Sequence, residues 1–177
     1  MKFSVKNLAL SAMFLALTWL LPFVTMQIPQ VGQLLSPMHI PMLLCGFICG
    51  WQYGLVVGLL APVLRSLFFG MPPLFPTAFA MTFELAVYGT ASGLLYAKLP
   101  KKTINVYISL ILAMVAGRVA WGIVSYAIAI SGGSVFTLNT FLQSTVIGSV
   151  PGIILHIVLI PLIVIFLQRA SLMRQNA

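Results

Sequence analysis

Apolar residues fall in long, nearly continuous blocks, separated by short polar or proline-rich interruptions. The blocks are 7–26, 38–50, 52–69, 75–96, 104–130 and 141–168, and each predicts a helix. A bilayer crossing takes about 20 consecutive apolar residues, so the pattern predicts six membrane spans. Three interruptions are clear: 27–37 (QIPQVGQLLSP), with two prolines and three glutamines; 70–76 (GMPPLFP), with three prolines, which cannot continue a helix; and 131–140 (SGGSVFTLNT). No linker, repeat or low-complexity tract divides the chain, so residues 1–177 are expected to form one domain. The first block follows Lys2 and Lys6 as a signal peptide would, but no small-x-small cleavage site precedes the next polar segment. It is expected to be a retained helix.

Composition agrees with this pattern. Hydrophobic residues make up 61% of the 177 and charged residues 6%, whereas soluble domains carry about 25% charged residues. Nine Lys and Arg stand against one acidic residue, Glu84, for a net charge of +8. The cations form no stripe with aromatics beside it, so nucleic acid is excluded as a partner. They sit instead between the apolar blocks, where positive charge sets topology. A break in 38–69 near Gly50–Gly54 puts Lys2, Lys6, the Lys98, Lys101 and Lys102 loop and the Arg169 and Arg174 tail on one side. The other three loops then carry no cation. Without the break, the triple-lysine loop would fall on the wrong side of the positive-inside rule. The expected fold is therefore an all-α integral membrane protein of six transmembrane helices with both termini cytoplasmic.

Glycines 46, 50, 54 and 58 recur every four residues, a spacing that lets helix backbones approach closely in lipid. This serves packing of the second and third helices or an interface with another protein. Cys45 and Cys49, a helical turn apart in an apolar block, are badly placed for a disulfide and too few for a closed metal site. They read as small buried hydrophobes. No cofactor and no metal is called for.

Arg65, Glu84 and Arg118 lie inside the predicted spans, where a charge costs about 2.5–3.5 kcal/mol and demands a partner or water. At about 1.5 Å per residue they lie roughly 7, 14 and 18 Å from the lysine-free side, all in its half or the middle of the bilayer. Two cations against one carboxylate suit an anionic or strongly polar ligand. On the same side, His39 opens the second helix, and Tyr88 lies one turn from Glu84. Trp121 is three residues from Arg118, and Asn139 and Gln143 flank the start of the last span. These eight residues are the candidate substrate site. Each also has a plainer reading: an Arg–Glu tie between helices, a snorkelling Arg65, or aromatics that only pack. His156, after the Gly148–Pro151–Gly152 interruption, reads as a packing residue rather than a ligand.

A six-span, basic-ended chain with a polar first outer loop resembles the substrate-binding components of energy-coupling-factor transporters. Ala12 and Ala16, with Ala9 near the same face, match the family's small-residue AxxxA-type motif on helix 1. Residues 39–89, from HIPMLLCGF to FELAVYG, resemble the riboflavin, folate and pantothenate group of that family. The resemblance implies a protein of the bacterial cytoplasmic membrane that binds a small vitamin or precursor from outside. It implies docking, through Ala9, Ala12 and Ala16, on a transmembrane coupling subunit that works with two ATPase subunits. The chain has no GxxxxGK[ST] and no Asp, in keeping with ATP use by partners. Pantothenate or a pyridine- or pyrimidine-type vitamin is the expected substrate, and the modest number of aromatics near the site speaks against a large flat ligand. A membrane enzyme is disfavoured because HExxH and GxSxG are absent. A self-sufficient carrier is disfavoured by the lack of an internal repeat. A scaffold protein would need Arg65, Glu84 and Arg118 to satisfy one another.

Overall fold

A computed structural model describes residues 4–24, 34–132, 137–145 and 147–170, and its regular structure there is helical throughout. The helices are α1 (Val5–Val24), α2 (His39–Cys49), α3 (Trp51–Phe69), α4 (Phe79–Lys98), α5 (Thr103–Ser131), α6 (Leu138–Thr145) and α7 (Val150–Arg169). A π-helical turn, Leu74–Ala78, leads into α4, and a 3₁₀ turn, Ile147–Ser149, links α6 to α7. Five segments, Val5–Phe23, Trp51–Phe69, Leu74–Lys98, Thr103–Ser131 and Val150–Arg169, are long and apolar enough to cross a membrane. The expected polar segment 27–37 lies outside the described residues up to position 33, and residues 133–136 and 171–177 do likewise.

The 11-residue α2 is the exception in length. At 1.5 Å per residue it reaches only about half of a bilayer core of about 30 Å. Every residue of it except Ile48 is buried. A helix wrapped in protein meets no lipid, so it can be apolar all round and short. Its break from α3 falls at Gly50, whose φ of +98° only glycine adopts readily, and Gly50 closes one helix and opens the next without a loop.

Helix α4 runs through the middle of the bundle, packed on α2, α3 and α5, while α7 lies on α2 and α5, and α1 sits outside α2 and α3. Here the glycine stripe finds its use. A Cβ on Gly54 would lie 2.5 Å from the Gly89 carbonyl oxygen, and one on Gly89 2.5 Å from that of Gly54. Gly58 meets Ala86 in the same way. The stripe therefore packs α2 and α3 onto α4, not chiefly onto each other. On α1, Ser11, Phe14 and Thr18 turn inward, and Ala9, Ala12 and Ala16 are exposed.

The last predicted span, 141–168, is corrected. A 3₁₀ turn at Ile147–Ser149 precedes α7, and Pro151 stands in the first turn of that helix. A proline there needs no amide hydrogen and presets φ, so it starts a helix more readily than it continues one. At the opposite end of the bundle the Lys101 ammonium lies 3.6 Å from the centre of the Tyr96 ring and donates to the Tyr96 carbonyl. Gln168 bonds the Tyr96 hydroxyl, tying α7 to the α4–α5 turn.

Candidate functional site

Glu84 stands about a turn and a half into α4, where that helix passes under the start of α2, and it is 2% exposed. Such a buried carboxylate needs donors, and it has them on one oxygen. Oε1 accepts from Arg118 Nη1 of α5 at 3.0 Å and from the Tyr88 hydroxyl at 3.1 Å. Tyr88 follows Glu84 by four residues, so both project from one face of α4. The ring of Tyr88 fits because residue 117 is glycine, since a Cβ there would lie 2.2 Å from it. His39 Nε2 approaches the same carboxylate oxygen at 3.5 Å, an ion-pair distance longer than an ordinary hydrogen bond.

Arg118 extends the cluster to the α6–α7 link. Its Nη2 donates to Ser149 Oγ at 3.2 Å, and its side chain, 19% exposed, leaves Nε buried without a partner. His156 of α7 faces His39 with ring centroids 6.0 Å apart, and the His39 ring lies edge-on to Tyr88 at 5.2 Å. His156 is almost fully buried, and its Nε2 also lacks a hydrogen-bond partner. The segment before α2 closes over this end. The Ser36 carbonyl lies 3.1 Å from His39 Nδ1, and Gly152 leaves room for the backbone of Leu34 and Leu35 to lie against α7.

Of the eight residues expected from sequence, four meet: His39, Glu84, Tyr88 and Arg118. Arg65 does not join them. It is buried with its Nη1 donating to the Trp19 carbonyl of α1 at 2.8 Å, between the rings of Phe23 at 5.9 Å and Phe69 at 5.5 Å. Pro22 interrupts the amide ladder of α1 at this level. The triad of charges is thus a pair, Arg118–Glu84, and a separate arginine. Trp121 is half-buried and stacks on Phe141 of α6, with centroids 6.4 Å apart, over the space left by Gly122. Asn139 and Gln143 are exposed on α6. His156, read from sequence as packing, belongs to the cluster. Its only signal was a polar residue in an apolar helix just past a break.

The described helices form an apolar bundle around a buried polar cluster in which Arg118 Nε and His156 Nε2 lack hydrogen-bond partners. The model of the family described as ECF transporter, substrate-specific component, matches residues 6–168, nearly the whole chain. The chain belongs to that family, and it is a multi-pass membrane protein. Members are transporter components rather than enzymes, bind small-molecule substrates, and work with a transmembrane coupling subunit and ATPases. No curated protein and no solved structure matches the chain.

Proposed function

We propose that the chain is one domain, residues 1–177, with six transmembrane helices in the bacterial cytoplasmic membrane and both termini inside. It binds a small water-soluble vitamin or precursor at the outward end, and delivers it for ATP-driven uptake. His39, Glu84, Tyr88 and Arg118 form the core of the binding site, joined by His156. The supporting observation is the pair of buried nitrogens, Arg118 Nε and His156 Nε2, left without partners. An unsatisfied buried polar atom costs about 1–3 kcal/mol, and a ligand that bonds both removes the cost. A purely structural network would share the Glu84–Arg118 pair but has no use for the two spare nitrogens.

The removal of Arg65 from the triad alters the substrate preference. Arg118 balances Glu84, so the cluster carries no excess cation from its arginines, which weakens the case for pantothenate and favours a pyridine- or pyrimidine-type vitamin. Arg65, Trp121, Asn139 and Gln143 are assigned to the outer end of the bundle around the site rather than to its centre. Ala9, Ala12 and Ala16, exposed on the outermost helix, form the face that docks on the coupling subunit. Small side chains there let a partner helix approach closely without displacing anything in this chain. Mass spectrometry of small molecules released by denaturing the detergent-purified protein tests the reading. A stoichiometric vitamin is expected. A protein that is empty, and stays empty after incubation with B vitamins, contradicts it.

A further inference from the structure

Arg65 carries a charge that no acidic side chain neutralises. The one acidic residue of the chain, Glu84, is paired with Arg118, and the partners of Arg65 are a carbonyl and two ring faces. These are dipoles, and a cation at membrane depth still demands an anion or water. Arg65 stands five residues before Gly70, the cap of α3, yet its guanidinium lies beside Phe69 in the last turn of α3 and Phe23 in the last turn of α1. The side chain therefore reaches toward the end of the bundle opposite the lysines, as a long cation does when it snorkels to the membrane surface. Nη1 donates to the Trp19 carbonyl. Nε and Nη2 make no hydrogen bond among the described residues, and neither is sealed inside without a partner as Arg118 Nε is. These donors open at the rim.

The surface around that opening is apolar. Leu20 and Phe23 of α1 and Leu67, Phe68 and Phe69 of α3 are all exposed, and Phe68 packs edge-on against Trp19 at 5.6 Å. From Leu67 the strip continues through exposed Leu60 and Val56, at steps of seven and four residues that keep to one side of α3. A guanidinium bonds phosphate oxygens through parallel N–H groups and gives up its hydration more readily than an ammonium does. A free anion would take the donors and leave the strip bare, and an alkyl chain alone would cover the strip and leave the charge. A molecule with a phosphate at one end and alkyl chains behind it meets both. We infer that Arg65 binds the phosphate of a phospholipid whose acyl chains lie along α3 over Leu67, Leu60 and Val56. The site shares no hydrogen bond or ion pair with the Glu84 cluster among the described residues. Its occupant is a membrane lipid that braces the seam between α1 and α3.

Trp19 stands at the site, and its fluorescence reports on it once Trp51→Phe and Trp121→Phe remove the other two indoles. The full chain in mixed detergent micelles is titrated with phosphatidylglycerol brominated on the upper part of its chains. The equally brominated diacylglycerol, with the chains but no phosphate, is titrated in parallel. Phosphatidylglycerol is expected to quench Trp19 at a mole fraction at least tenfold lower than diacylglycerol. Lipid held by the lysines does not enter this signal, since Lys6, the cation before Trp19 on α1, is about 20 Å away along the helix. Arg65→Met should abolish the preference, so that the two lipids quench alike. If that variant does not elute as a folded species, Arg65→Gln, which keeps a donor for the Trp19 carbonyl without the charge, takes its place with the same expectation. Equal quenching by the two lipids with Arg65 present overturns the inference, and so does a preference that persists when Arg65 is replaced. Displacement of phosphatidylglycerol by inorganic phosphate also overturns it, because the site would then hold a free anion rather than a lipid.

Discussion

The two arginines within the predicted spans are accommodated by the protein in opposite ways. Arg65 of α3 hands its charge to a backbone carbonyl, that of Trp19, and to the faces of two phenylalanines. Trp19 returns a bond from its indole N–H to the Ala61 carbonyl, so the contact sews α1 to α3 from both sides. Arg118 of α5 meets Glu84, the single acidic side chain of the chain, and Ser149, and its Nε, like Nε2 of His156, is left without a hydrogen-bond partner. The first arrangement uses aromatic and backbone partners and fixes two helices. The second is an ion pair with unused hydrogen-bonding capacity. The contrast shows that a charge inside a membrane helix marks function through what its partners leave unused, and not through its cost alone.

Substitutions separate the two sites, and the largest effect is expected at the ion pair. Arg118→Ala strips the buried Glu84 of its arginine, which costs about 3–5 kcal/mol of stability. Thermal unfolding in detergent should show that loss, and ligand affinity should fall at least a hundredfold, about 2.7 kcal/mol. Gly89→Val comes next, because its side chain must displace the Gly54 backbone of α3. An overpacked contact of this kind costs about 1–3 kcal/mol, read as a lower melting temperature and a smaller yield of monodisperse protein. Arg65→Met sharpens the comparison. It should cost about 1–2 kcal/mol through the lost bond to Trp19 and the ring contacts, with ligand affinity within about threefold of wild type, the range of a site not in contact. A collapse of affinity in Arg65→Met with stability intact would reverse the roles of the two arginines. Lys101→Ala should have the smallest effect. It removes a cation–ring contact worth about 0.5–1 kcal/mol at the far end of the bundle, and equilibrium binding should not register it.

Much of the helical pattern was legible because it depends on local rules. The break at Gly50 followed from loop charge together with a glycine between two apolar blocks, and α3 and α5 lie within a residue of their expected bounds. The last span was drawn too long because hydropathy averages across Gly148 and Pro151, whereas the backbone breaks there. Glu84, Tyr88 and Arg118 were found because a membrane makes a charge conspicuous, and a four-residue step puts Tyr88 beside Glu84. The separation of Arg65 was not legible, since its partner is a main-chain oxygen and every residue has one. His156 was missed for a related reason. It meets His39 only through tertiary packing of α7 on α2, and a lone histidine in a sequence carries no record of the ring opposite. Asn139 and Gln143 were included for their position near the start of the last span, yet on the short α6 they face outward.

Co-purified ligand in the two arginine variants tests the central claim most directly. Wild-type chain, Arg65→Met and Arg118→Ala are purified in parallel, denatured, and the released small molecules are quantified against protein by mass spectrometry. The account predicts an equimolar compound from wild type and from Arg65→Met, and essentially none from Arg118→Ala that still elutes as a folded species. Full retention in Arg118→Ala, or loss confined to Arg65→Met, would contradict it.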